Sequence, residues 1–148
     1  MLLDLRKLKR TGKDSQDFYF EYSPEINLVE SMPACKLDQP VKITGKITLT
    51  GEHSAFVEGE VNFSITGECT RCLASATNHY NAEFGEQVSV DEVDGYPLVN
   101  DTVDLTKIVN DVILMNIPIT FLCKEDCLGL CPECGANLND EQCKCNKQ

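Results

Sequence analysis

The sequence predicts a mainly β domain of the α+β class: an antiparallel curled sheet or small barrel, one amphipathic helix near the carboxyl end, and a cysteine-rich zinc-knuckle tail. Three observations carry this. Apolar and polar residues alternate at period two through much of residues 17–90, as strands with one wet face require. From Asp104 to Met115 the spacing becomes helical. After Phe121 the composition changes, with six of the nine cysteines and no aromatic residue in 123–148. The chain therefore reads as an acidic β domain over 1–122 and a metal-held tail over 123–148. At 148 residues and 42% apolar, a chain can bury about 70% of its unfolded surface, so the β domain needs no covalent staples.

The first element is a basic arm. Residues 1–13 hold Arg6, Lys7, Lys9, Arg10 and Lys13 against Asp4 alone, in a chain of net charge −11. Such an arm reads either as a loose terminus with Leu2, Leu5 and Leu8 tacked to the core, or as a phosphate-facing contact through Arg6, Lys7, Lys9 and Arg10. It offers no continuous apolar segment with a small-residue cleavage site, so a cytoplasmic, reducing setting is expected. Strands follow. Phe18 and Phe20 alternate with Tyr19 and Glu21, and a loop carries Pro24, Pro33 and Pro40. Val41, Ile43, Ile47 and Leu49 then alternate with lysines and threonines, Gly51 to Ser54 make a turn, and Val57, Val61, Phe63 and Ile65 return along the same face. This is the pattern of a long hairpin. Ala76, Tyr80, Ala82 and Phe84 continue it, followed by Val88 and Val90, and curling or closure would protect the edges of such a meander. The helix spans about 104–116: Asp104 is a suitable N-cap, and Leu105, Ile108, Val109, Val112 and Met115 form a core-facing stripe until Asn116 and Pro118 end it.

Nine cysteines cannot all pair, and thiols kept reduced at close spacing point to metal or redox chemistry. Cys131-Pro132-Glu133-Cys134-Gly135 has the form of a metal knuckle. Two thiolates reach one ion from a tight turn, Pro132 restricts φ, and Gly135 permits the positive φ such turns use. Cys143 and Cys145 can supply the second half, with Cys127 or Cys123 as competing ligands, so that four of these six hold the ion. Zinc is the first choice, because four thiolates with no open position make a closed structural site, at about 2.3 Å per bond. Iron is the rival, but its knuckles come in pairs, and here the second half is Cys-x-Cys. The tail carries three lysines against five acidic residues and lacks stacking groups, which suits a protein-facing or stabilising module and not one that holds RNA or DNA.

Cys69-Thr70-Arg71-Cys72 lies between two predicted strands. Three readings stand: packing thiols at a strand connection, a second metal half-site completed by Cys123 and Cys127, or a thiol-redox pair. The last lacks the helix N-terminus and βαβ setting of thioredoxin-like sites. Cys35 has no assigned role. Enzyme chemistry is not expected: His53 and His79 sit in no H-E-x-x-H or H-x-E pattern, and no nucleophile elbow, phosphate loop or dinucleotide fingerprint occurs. The acidic balance disfavours anionic membranes and nucleic acid as partners of the whole surface. The longest uncharged run, Val112 to Cys123, is broken by Pro118 and too short to span a bilayer.

The tail pattern Cys-x3-Cys-x-Gly-Leu-Cys-Pro-x-Cys-Gly-x-Asn-Leu-Asn with its later Cys-x-Cys, together with Cys69-x-Arg71-Cys72-Leu73, resembles the YceD-like family of large ribosomal RNA subunit accumulation proteins. Asp104-Leu105, Ile117-Pro118 and Asp4-Leu5 add to the resemblance. It implies a bacterial or organellar protein needed for normal accumulation of large-subunit (23S) rRNA, in a family with no established enzymatic activity. Combined with the charge, it yields the expectation that the acidic sheet binds a basic ribosomal protein or large-subunit assembly factor, with rRNA contact indirect and neither membrane nor DNA as partner.

Overall fold

A computed structural model describes residues 1–145. In chain order the elements are β1 (Leu2–Asp4), α1 (Arg6–Arg10), β2 (Ser15–Tyr22), β3 (Cys35–Leu37), β4 (Val41–Gly51), β5 (Ser54–Glu68), β6 (Ser75–Ser89), β7 (Tyr96–Val99), β8 (Thr102–Asp104) and α2 (Leu105–Asn116). The sheet runs β1-β8-β7-β6-β5-β4-β2, with β3 added to the far end of β5. Every pairing is antiparallel except β6 with β7. Its path is open, so it is a curled sheet and not a closed barrel.

The alternation read from sequence is the one the strands use. Val57, Val61, Phe63 and Ile65 are buried on one face of β5, Val41, Ile43 and Ile47 beside them on β4, and Ala82, Phe84 and Val88 on β6. Helix α2 covers this face. Asp104 caps it by accepting from the Thr106 N–H, and Leu105, Ile108, Val109, Val112 and Ile113 are buried. Met115 is not part of that stripe: it is 84% exposed on the last turn, one step past the arc that meets the sheet. The amino-terminal arm is also more ordered than a loose terminus. β1 pairs with β8, the basic stretch forms α1, and Leu3, Leu5 and Leu8 are buried while Leu2 points out. Among the described residues no helix is long and apolar enough to cross a membrane.

Two glycines fix how closely the central strands pack. Gly45 and Gly59 lie directly opposite one another, with Phe18 opposite Gly45 on β2 and Phe84 opposite Gly59 on β6. A Cβ at Gly59 would stand 2.2 Å from the Thr44 carbonyl oxygen and 2.8 Å from Gly45 Cα. Both obstacles are backbone, so no side chain can swing aside. Gly59→Ala is therefore expected to cost about 2 kcal/mol or more, as overpacking at a rigid site does, read as a lower urea midpoint at unchanged slope. An unchanged midpoint would show that the strands separate freely.

Candidate metal centres

Six tail cysteines and the Cys69/Cys72 pair sort into two groups of four sulfurs, each group lying within 4.8 Å of one another: Cys69, Cys72, Cys123 and Cys127, and Cys131, Cys134, Cys143 and Cys145. Cys123 and Cys127 thus stand with the sheet's own pair and not with the Cys131 knuckle. Cys35 belongs to neither and sits half-buried at the start of β3.

The inner group is built on the β5–β6 connection. Leu73 N–H donates to the Cys69 carbonyl and Cys69 N–H to the Ala74 carbonyl, both at 2.9 Å, with Leu73 at φ 61°. The outer knuckle repeats this turn. Gly135 N–H donates to the Cys131 carbonyl at 2.9 Å and Cys131 N–H to the Ala136 carbonyl at 2.8 Å, with Gly135 at φ 74°. Leu73 therefore occupies the place of the knuckle glycine, in a backbone region that costs a side-chain-bearing residue about 1–2 kcal/mol. Strain of this kind persists where the surroundings over-determine the turn.

The segment after α2 delivers the other two sulfurs. Thr70 N–H donates to the Phe121 carbonyl at 2.9 Å, and Leu130 N–H to the Arg71 carbonyl at 3.2 Å. The Arg71 guanidinium reaches the Cys127 carbonyl at 3.0 Å. Gly129, at φ 77°, passes so close that an added Cβ would lie 3.2 Å from the Arg71 carbonyl oxygen. Within the group, Cys69 Sγ is 3.7 Å from Cys127 Sγ and Cys72 Sγ is 3.6 Å from Cys123 Sγ. A disulfide would need about 2.0 Å. Four sulfurs at about 2.3 Å from a tetrahedral ion stand about 3.8 Å apart, so the inner group has the dimensions of a tetrathiolate site. In the outer group Cys134 and Cys143 are 3.6 Å apart and Cys131 and Cys143 3.2 Å apart, the second distance being tighter than tetrahedral spacing.

The sulfurs have opposed proton affinities. Burial pushes the Cys69 thiol up, but the N–H groups of Cys123, Cys72 and Arg71 outweigh it and bring its pKa to about 6. Burial likewise opposes ionisation of Cys127, where the Asn139 amide and the Gly129 N–H prevail and lower it; Asn139 Nδ2 lies 3.4 Å from that sulfur. Cys123 is pushed up to about 12, first by burial and then by hydrogen bonding with Cys72. In the outer group the N–H groups of Cys134 and Glu133 lower Cys131 to about 6, while hydrogen bonding with Cys143 and Cys134 raises Cys145. In the inner group Cys69 and Cys127 thus ionise more readily while Cys72 and Cys123 resist, and in the outer group Cys131 ionises more readily while Cys143 and Cys145 resist. A divalent cation removes the conflict, since it stabilises every thiolate it binds. The donor set fits a soft or borderline ion such as zinc or iron.

The basic arm is partly spent within the fold. Arg6 donates to both carboxylate oxygens of Asp4, and Lys9 bridges Asp101 and the Glu52 carbonyl; Lys7 and Arg10 are left on α1. His79 Nδ1 lies 2.6 Å from Ser64 Oγ on the solvent face.

Fold and site together define a curled, largely antiparallel β domain with two tetracysteine groups, one shared by the central hairpin and the carboxyl-terminal segment and one lying wholly within that segment. Residues 57–148 match the family model described as large ribosomal RNA subunit accumulation protein YceD, and the chain belongs to that family. The matched stretch contains all eight cysteines of the two groups. An uncharacterized protein of Mycobacterium tuberculosis is 31% identical over 100 residues, which are 57% of this chain and 45% of that protein. The chloroplastic large ribosomal RNA subunit accumulation protein YCED homolog 1 of Arabidopsis thaliana is 39% identical over 46 residues, 31% of this chain and 14% of that protein. YlbN of Bacillus subtilis is 25% identical over 122 residues, 75% of this chain and 68% of that protein. The chain thus spans less than half the length of the mycobacterial relative it matches. No solved structure matches it.

The arrangement predicts two ions of separable consequence. Native mass spectrometry of unoxidised protein is expected to show two bound ions, with one lost in Cys134→Ser and the other in Cys123→Ser. Only the inner loss should lower the melting temperature of the β domain, because only that site takes ligands from the β5–β6 connection. A single ion shared by both groups, or equal melting shifts, would contradict this.

Proposed function

We propose that the chain is a non-catalytic ribosome-biogenesis factor that supports accumulation of large-subunit rRNA by holding a basic ribosomal protein or assembly factor, with zinc as the structural ion in both centres. The observation that carries this is the family match over 57–148, and the plant relatives bear the same description in their names. Zinc is favoured because each group offers four thiolates and no open position, the composition of a structural site. Such sites contribute roughly 10–16 kcal/mol in small peptides. An ion with four thiolates carries a formal charge of about −2, so occupancy adds to the acidic balance. Long-range attraction for a cationic partner follows, with an encounter rate that falls as salt rises. The setting expected for such a role is the cytoplasm.

Two alternatives have less support. Direct rRNA contact through Arg6, Lys7, Lys9 and Arg10 would draw on an arm in which Arg6 and Lys9 already serve internal carboxylates. Thiol exchange at Cys69 and Cys72 would need access, and Cys69 is 0% exposed, whereas reactive thiols are partly open. Co-isolation of the native protein at low and moderate salt is expected to recover basic large-subunit proteins, with recovery falling as salt increases. Recovery of naked rRNA alone would overturn the proposal. Neutralising Arg6, Lys7, Lys9 and Arg10 together should leave the salt slope of any rRNA association unchanged; a flattened slope would shift the function to the arm.

A further inference from the structure

The longest strand pair of the sheet leaves one backbone edge without a partner among the described residues. At one end of the β5–β6 hairpin Cys69 N–H donates to the Ala74 carbonyl, and at the other Val90 N–H donates to the His53 carbonyl. The register between them is unshifted. Bonded and unbonded pairs alternate along an antiparallel ladder, and both ends give the same parity: even-numbered residues of β6 bond to β5. The odd-numbered ones, Thr77, His79, Asn81, Glu83 and Gly85, turn their N–H and C=O groups to the opposite side. On that side β7 takes up only Val88 and Ser89, and among the described residues no other backbone hydrogen bond reaches this stretch. A groove of about 600 Å³ runs beside it, with Thr77, Asn78 and Tyr80 on one wall and Pro118, Thr120 and Leu122 on the other, and with Lys124 and Glu125 also in its lining; the walls meet where Asn78 Nδ2 donates to the Leu122 carbonyl at 2.8 Å. Long unpaired edges of this kind are normally blunted by lysines, prolines or bulges. Residues 75–87 contain none of these.

We infer that the free edge of β6 is a docking site for an extended, basic segment of a partner protein, which adds to the sheet as a further strand between β7 and the 118–122 wall. This rests on the proposed binding of a basic partner and names the surface that does it. Charge selects the occupant. β5 and β6 carry Glu58, Glu60, Glu68, Glu83 and Glu86 and no lysine or arginine, Glu83 stands directly opposite Glu60, and the one lysine lining the groove, Lys124, is offset by Glu125 beside it. The other long edge, β2, lacks this bias, because its Asp17 and Glu21 lie opposite Lys46 and Lys42. A second copy of the chain is disfavoured on the same ground, since two molecules of net charge −11 repel. Backbone pairing supplies affinity in such additions, and alternate side chains supply selectivity. The groove's apolar lining, Pro118 and Leu122, suits alternate apolar residues on the incoming strand.

The test uses the full chain in its metal-bound form and a short peptide alternating lysine and valine, with a glutamate–valine peptide as control. Residue-resolved amide exchange by NMR is expected to show slowed exchange at Thr77, His79, Asn81, Glu83 and Gly85 on addition of the lysine peptide, and none with the control. Glu83→Pro removes one outward N–H without touching the β5 ladder. It is expected to weaken binding by about tenfold, roughly the worth of one hydrogen bond and a local misfit, while Glu83→Gln weakens it less. The wild-type exchange map stands even if the proline variant folds poorly. The inference is overturned by absence of binding at about 1 mM peptide, by protection along Asp17, Tyr19 and Glu21 instead, by dimerisation through β6, or by equal effects of the proline and glutamine variants. If basic large-subunit proteins still co-isolate with Glu83→Pro as with wild type, the edge is wrong and the partner class survives; if they co-isolate with neither, the partner class itself fails.

Discussion

Four sulfurs from two segments more than fifty residues apart must converge on one point, and much of the molecule is arranged to make that convergence possible. Cys69 and Cys72 leave the sheet on a tight turn at the far end of the β5–β6 hairpin. Cys123 and Cys127 arrive only after α2 has crossed the inner face and Ile117-Pro118 has ended it. The hairpin and the helix therefore act as rigid arms that bring the sulfurs to tetrahedral spacing, with 3.7 and 3.6 Å between the closest pairs. Backbone hydrogen bonds from Thr70 to Phe121 and from Leu130 to Arg71 fix the approach before any ion is considered. Among the described residues the buried part of this region is small, comprising Cys69, Cys72 and Cys127 with Leu122, Cys123 and Leu130 against them. So little apolar surface cannot offset the entropy of ordering the tail, and four thiolates gathered at this spacing could supply the balance by holding an ion.

The two centres are tied together by the chain between them. Cys127 and Cys131 are separated by Leu128-Gly129-Leu130, and this short span is bound on both sides. Gly129 lies against Arg71 and accepts from the Leu138 N–H at 3.0 Å, while Asn139 reaches back to the Cys127 sulfur and accepts from the Leu128 N–H at 2.9 Å. Asn137 braces Asn139 through its side-chain oxygen. The Asn-Leu-Asn stretch thus links the two centres, giving those residues a mechanical role besides forming a turn.

Much of this was legible in the sequence, for physical reasons that differ by element. Period-two alternation marks β4, β5 and β6 because one face of each is buried, and helical spacing marks α2 because only one arc meets the sheet. Met115 misled because a single apolar residue past the arc keeps the period without the contact. The short pieces β1, α1 and β3 escaped notice: three to five residues are too few to show a period, and their stability comes from pairing with distant strands. The knuckle at Cys131 announced itself through Pro132 and Gly135. Its twin at Cys69 did not, since Leu73 stands where glycine is the usual signal and only the backbone reveals the same turn. Sorting Cys123 and Cys127 away from the Cys131 group needed three-dimensional proximity, which spacing along the chain does not encode.

The central claim is that an ion at Cys69, Cys72, Cys123 and Cys127 locks the carboxyl-terminal segment onto the sheet. Amide hydrogen exchange before and after removal of metal by a chelator under reducing conditions tests it most directly. The account predicts that residues 69–74 and 121–131 lose protection together while the β4–β5 ladder keeps its own, and that both recover on adding zinc. Unchanged protection of the two segments in metal-free protein would contradict it.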